Sequence, residues 1–290
     1  MNFSVIITTH NRREDLIQTL KQIQKMRPSP AEILITADGC SDGTEDLVQN
    51  EFPDIRIFSN QPGKGSVASR DHMIRESHNR YILCLDDDSY PVEKDFFTRM
   101  ETILRNSPDA GLVTFPQRSE EYPASLNRKD FGSPRWIGSY PNSGAVYDRE
   151  LYLNLPGFPH FFFHAYEEPD YAIQVISAGK KVLFSTSATI RHHWAGTGRN
   201  EGRTHRRHAR NEALSVILRA PQWAIPLLLP YRALRQFQYA WKRGFDWVIR
   251  EPLWWWDFFK TVPIAMRNRK PVTWDAYYQW LVLLKNPKPI

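Results

Sequence analysis

A chain of 290 residues with 41% hydrophobic and 24% charged side chains has enough apolar material for an ordinary packed core, which excludes wholesale disorder. The net charge of +6 is unevenly spread: residues 1–198 carry 21 Lys+Arg against 26 Asp+Glu, and residues 199–290 carry 17 against 6. Eight of the ten tryptophans also lie at or beyond Trp223, so an acidic front and a basic, aromatic back are expected to do different work. The opening "MNFSVIITTHNR" lacks the basic and long apolar regions of a signal peptide and reads as a strand. "AIPLLLP", the strongest apolar run, is too short to span a bilayer and is broken by Pro226 and Pro230. Cys40 and Cys84 form no metal-spaced pair and suit a reducing compartment. These features predict a cytoplasmic protein without a spanning helix.

In chain order, "FSVIITT" (3–9) reads as a buried strand, followed by a helical pattern with Leu16, Leu20 and Ile23 on one face. "AEILITAD" (31–38) is a second strand; Ser41 or Asp42 can then cap a helix that has Glu45 in its first turn. "DIRIFSN" (54–60), "SVASRDHMIRES" (66–77) and "RYILCLDDD" (80–88) continue as strand, helix and strand. Such alternation predicts an α/β fold whose mainly parallel sheet is flanked by helices. Further on, "AGLVTFP" is a strand and "SGAVYDRELYLNL" a strand running into a helix. "YEEPDYAIQVISAGKKVLFSTSATIRHHW" reads as helix, turn, strand and a strand ending on two histidines. Beyond Arg199 the chain is basic and helical, and Pro221, Pro226, Pro230, Pro252, Pro263 and Pro271 are expected to divide it into short pieces. The expected division is residues 1–215 as one α/β domain and residues 216–290 as a basic, aromatic-rich helical extension.

Open parallel sheets bind ligands at the carboxyl ends of their strands, and Thr8, Asp38 and Asp86, Asp87 and Asp88 all fall there. Three adjacent carboxylates repel one another and resist losing their water, an arrangement that a divalent cation relieves. Mg²⁺ or Mn²⁺ prefers hard oxygen ligands and shares them between protein and phosphate. Side-chain alternation would aim Asp86 and Asp88 to one side and Asp87 to the other.

"VIITTHNR", "ADGCSDGT", "LDDDS", "YEEPDY" and "IRHHW" occur in that order, and together they resemble a family-2 glycosyltransferase of the GT-A fold. The resemblance covers about residues 1–215, and the opening and basic tail look most like bacterial rhamnosyltransferase-type members. It implies that Thr8 and Asp38 contact the nucleotide base, Asp38 accepting from the imide N–H, and that Arg70 lies near the nucleotide. Asp87 would touch the ribose or donor sugar. Asp88 would be the main metal ligand, Asp86 a nucleotide-sugar contact and second candidate ligand, and His192 (or His193) would approach from the far side. Glu168 stands where the family has its general base, usually Asp, with Glu167 and Asp170 as alternatives. Ala37 replaces a frequent Asp, and His10 a Tyr. The activity that the resemblance implies is a metal-dependent inverting transfer of a sugar from a UDP- or dTDP-sugar to a glycan or lipid-linked acceptor, in cell-surface polysaccharide synthesis.

Two other readings remain open at this point. A nucleotidyltransferase also uses carboxylate-held Mg²⁺, but it would show a glycine-rich phosphate loop where "TTHNRRED" stands. A catalytically silent module on the same fold could tether partners at a membrane. In the tail, "RTHRRHAR" and "WKRGFDWVIREPLWWWDFFK" mix cations with aromatic rings. Such a mixture suits an anionic membrane surface or internal packing better than nucleic acid, and a peripheral place on the inner face of the cell membrane is compatible with it.

Overall fold

The computed structural model describes residues 1–193 and 201–290. Trp194 of "IRHHW" and Arg199, where the basic segment begins, lie outside the described residues.

The front half is built from β1 (Phe3–Thr9), α1 (Arg13–Ile23), β2 (Glu32–Asp38), α2 (Thr44–Glu51), β3 (Arg56–Asn60), α3 (Ser66–Glu76) and β4 (Tyr81–Asp86). Next come β5 (Ser89–Pro91), α4 (Phe96–Asn106), β6 (Ala110–Thr114), β7 (Gln117–Ser119), α5 (Pro123–Leu126), β8 (Arg135–Ile137), β9 (Ala145–Asp148) and α6 (Arg149–Leu153). The remainder is α7 (Glu167–Ser177), β10 (Lys181–Phe184), β11 (Ile190–His192), α8 (Glu201–Arg219), α9 (Ile225–Arg243), α10 (Phe245–Val248), α11 (Glu251–Arg267), α12 (Trp274–Lys285) and β12 (Lys288–Pro289).

Nine strands form one sheet in the order β12-β8-β10-β6-β9-β4-β1-β2-β3. Strands β3, β2, β1 and β4 are mutually parallel, as the alternation of the front half requires. Strand β9, which the sequence pattern did not orient, runs antiparallel between β4 and β6 and joins the two halves. Every residue of β1 is buried, the pattern of a strand covered on both faces. Its side chains alternate between two cores: Val5 and Ile7 pack with α1, α2 and α4 on one face, Ile6 with α3 and α7 on the other. A small second sheet, β5-β11-β7, sits beside the first.

The tail helices complete the core on the α3/α7 face, where Trp254, Phe258, Tyr277 and Trp280 join Ile6 and Tyr171. The division expected at residue 215 falls within the continuous helix α8. Two of the six prolines act differently from expectation. Pro226 and Pro252 sit in first turns, where a missing N–H costs nothing, but Pro230 and Pro263 lie inside helices of 19 and 17 residues. Each removes one hydrogen bond from a long helix whose packing carries it through. Among the described residues, no helix is long and apolar enough to cross a membrane.

Candidate active site

Register brings the polar strand ends together. Thr8 pairs with Thr36 on β2 and with Asp86 on β4, so Thr8, Asp38 and Asp86 emerge at one edge. Asp38 is nearly buried and accepts hydrogen bonds from Lys64 N and Gly65 N (both 2.8 Å), Asn60 Nδ2 (2.9 Å) and Ser69 Oγ (3.0 Å). The carboxylate therefore shapes the 60–65 loop with all its ordinary acceptor capacity. Gly65 is required in that loop: its φ is +91°, and an added Cβ would lie 2.3 Å from Phe163 O.

The aspartate triplet splits between two environments. Asp87 turns inward, where its side chain is 7% exposed and meets Arg12 Nη1 at 2.9 Å. Burial, with help from Asp88 and Asp86, lifts its carboxyl to about 7 against the pull of Arg12. Asp88 receives Arg12 Nη2 on Oδ2 at 2.8 Å, and its Oδ1 faces His192 Nε2 at 3.3 Å. Burial opposes its charge, but His192 and Arg12 together hold its pKa below the ordinary carboxylate range. Arg12 is a site residue that motif reading missed. The signal was present in "HNR", a cation directly after β1, but its partner Asp88 is 76 residues away.

One ligand atom each from Asp86, Asp88 and His192 lies within 4.8 Å of the others. Gln117 donates from Nε2 to Ser143 Oγ at 2.5 Å, which leaves its Oε1 facing His192 Nδ1 at 3.2 Å. In the neutral ring this network assigns the proton to Nδ1 and turns the Nε2 lone pair toward the carboxylates. Three electron-rich atoms thus converge, and a divalent cation fits that donor set. His193 faces elsewhere, with Nε2 3.0 Å from Tyr90 Oη, and so the two histidines are separated by geometry.

Glu168 lies in the first turn of α7 and lines a cleft of about 380 Å³ together with Arg70, Asp86, Asn142 and His164. Burial and the adjacent Glu167 raise its pKa to about 8 against the pull of Arg70. Both alternatives are engaged. Glu167 accepts from Arg70 Nη1 at 3.0 Å and from Asn142 Nδ2 at 3.2 Å. Asp170 is fully buried, held by Arg219 Nη2 and Ser215 Oγ, both at 2.8 Å. Arg70 also reaches Asp86 at 2.5 Å, linking the metal-like cluster to the start of α7.

The segment before Glu167 is strained, with Phe163, Ala165 and Tyr166 at φ +65°, +73° and +70°. Such non-glycine conformations persist only where their surroundings enforce them. Here buried Asn211 of α8 directs its Nδ2 to the carbonyls of Phe162 (3.1 Å), His164 (3.0 Å) and Ala165 (2.7 Å). Nothing in the sequence singled out Asn211.

The sequence profile of "Glycosyl transferase family 2" matches residues 4–169, more than half of the chain. The chain belongs to glycosyl transferase family 2. It is 27% identical over 111 residues to a poly-beta-1,6-N-acetyl-D-glucosamine synthase of Staphylococcus aureus, covering 38% of this chain and 27% of that protein. Its counterpart from Staphylococcus epidermidis is 25% identical over 113 residues, with the same coverage. The chain spans about a quarter of the length of these relatives.

Solved glycosyltransferases share the fold. Staphylococcus aureus TarS 1–349 with UDP-GlcNAc has a TM-score of 0.63 at 14% identity, over 93% of this chain and 84% of that one. The mannosyltransferase PcManGT of Pyrobaculum calidifontis, with GDP-Man and Mn²⁺, has 0.57 at 16% identity, over 92% and 72%. The chain accordingly has a GT-A-type, mainly parallel sheet flanked by helices and a C-terminal helical region.

Proposed function

We propose that this family member transfers a sugar with inversion from a UDP- or dTDP-sugar, dependent on Mg²⁺ or Mn²⁺, to a glycan or lipid-linked acceptor in cell-surface polysaccharide synthesis. The observation that carries it is the position of Glu168. Of the three carboxylates at the start of α7, it alone forms no ion pair among the described residues, and it shares its cleft with Asp86, one of the three residues whose ligand atoms converge.

In this reading Asp88, His192 and Asp86 hold the ion, which when bound neutralises diphosphate charge. Glu168 takes the proton from the acceptor hydroxyl as its oxygen approaches the anomeric carbon from the face opposite the diphosphate. One base suffices for inversion. Arg70 steadies Glu167 and Asp86, and Arg12 keeps Asp87 and Asp88 in place. Thr8 and the 60–65 loop, braced by Asp38, form the floor against which the nucleotide base lies. Asp87 supports the donor sugar's site through Arg12.

Relatives that make poly-beta-1,6-N-acetyl-D-glucosamine support a cell-surface product. The aromatic, basic faces of α9 and α11 support a peripheral place on an anionic membrane. The test is donor turnover: purified protein with a panel of UDP- and dTDP-sugars and Mn²⁺ should slowly hydrolyse one donor and release the inverted anomer, seen by proton NMR. Undiminished turnover in EDTA, or a retained anomer, would defeat this reading.

A further inference from the structure

Beside the cleft lies a larger cavity of about 680 Å³, walled by the start of α7 and by α8, α9 and α12. That volume is typical of a small-molecule site. The two spaces share Tyr166, Pro169 and His208, so they meet at the residue that follows Glu168. None of the nucleotide-side residues borders the larger one.

Its lining combines cationic and apolar side chains. Arg232, Arg235 and Lys285 line the cavity together with Glu212, the only acid of the lining among the described residues. Glu212 is already committed, accepting from Arg232 Nη1 at 2.9 Å and from Gln236 Nε2 at 2.5 Å. Arg232 is 5% exposed, and its Nε has no hydrogen-bond partner among the described residues. No carboxylate among the described residues forms an ion pair with Arg235 or Lys285. Leu228, Leu281 and Leu284 line the same cavity. At the rim Tyr231 and Tyr278 are about half exposed, and along α9 the surface continues through the exposed Leu227 and Leu234. A phosphate would satisfy the surplus cations, and a hydrocarbon chain would cover the leucines and the rim.

We infer that this cavity is the acceptor subsite, and that the acceptor carries its reactive hydroxyl on a group joined through a phosphate ester to an apolar chain. The inference rests on the glycosyl-transfer reading and adds the acceptor's place and class. The hydroxyl points past Pro169 to Glu168, the phosphate lies on Arg235 and Lys285, and the chain leaves over Tyr231 toward Leu227 and Leu234.

Decyl phosphate, kept below its aggregation concentration, is a suitable probe for calorimetric titration of the full chain. It should bind at least about tenfold more tightly than either inorganic phosphate or decanol, because each of these lacks one half of the recognition. Arg235→Glu should weaken it about tenfold or more, and Lys285→Glu should do likewise. Arg267→Glu, the same charge change on α11 outside the cavity, should leave it unaltered. Melting curves of all three variants confirm folding. Equal weakening by Arg267→Glu would reveal general charge attraction and overturn the assignment, as would inorganic phosphate or decanol binding as well as the probe. Titration of the same protein with UDP or dTDP and Mn²⁺ is a separate arm. Absence of nucleotide binding there defeats the transfer reading, whereas failure of the decyl phosphate arm alone defeats only the acceptor assignment.

Discussion

At Glu168, burial and the neighbouring Glu167 lift the carboxyl to about 8, close to where a general base is most useful near neutral pH. The same shift bears on stability. An unfolded Glu ionises near about 4.3, so between that pH and about 8 the unfolded chain sheds a proton that the folded chain retains, and stability falls as pH rises through this window. Glu168→Gln removes that fall. Its melting temperature should exceed the wild type's by more at pH 9 than at pH 4, while turnover drops about 10²-fold or more with little change in donor affinity. Wild-type turnover should rise with pH toward about 8. Unaltered turnover would move the role elsewhere. Asp88→Ala should abolish Mn²⁺ binding, read by electron paramagnetic resonance, because it removes one of three converging ligand atoms. The convergence of Asp86, Asp88 and His192, and the place of Glu168 beside Asp86 in one cleft, were legible because each residue belongs to a short ordered motif. Arg12's grip on two aspartates was not, because its partners lie in the β4–β5 turn, which only folding brings near.

At the scale of elements, the strained segment 163–166 shows how α8 sets the start of α7. Asn211→Ala removes the two-proton donor shared by the carbonyls of Phe162, His164 and Ala165, at about 1 kcal/mol per hydrogen bond, and should lower kcat more than it raises KM for the donor. Asn211→Asp, which in its ionised form has no side-chain donor, should fail to rescue it. A loss of stability with kcat preserved would show that Asn211 serves the fold alone. One turn into α7, Asp170 and Arg219 form a pair that is 0% and 2% exposed. Asp170→Ala should cost about 3–5 kcal/mol, because the guanidinium stays buried without its partner, and urea denaturation would measure the loss. Periodicity revealed most front-half elements, since strand and helix there bury clear apolar faces. It could not foresee Pro230 and Pro263 inside helices, because neighbouring helices supply what the local pattern lacks.

For the whole molecule, the composition shift near residue 199 marked a change of character without showing which tryptophans face inward. The structure divides them: Trp254 and Trp280 are core, whereas Trp223, Trp241 and Trp256 are at least 60% exposed. Packing and membrane contact are therefore compatible, on opposite sides of the same helices. Truncation after residue 215 should give insoluble protein, since it strips the core of Trp254, Phe258, Tyr277 and Trp280. The full chain should co-sediment with anionic vesicles and detach in part as salt rises, because screening acts over about 8 Å at physiological ionic strength, while the aromatic rings leave a salt-resistant fraction. Equal, negligible pelleting with anionic and neutral vesicles would end the membrane assignment. Helix α8 connects these two sides. It holds the carbonyls ahead of Glu168 through Asn211 and meets α11 through Arg206–Asp257 and His205–Glu251. The segment ahead of Glu168 and the outward-facing helices are therefore expected to open as one cooperative unit. In hydrogen–deuterium exchange, the amides of residues 163–170 should exchange in step with those of α8, well before those of β1 and β4. Vesicles should slow that first group alone, so that a lipid surface quiets the segment around Glu168 from the far side of the helix that braces it.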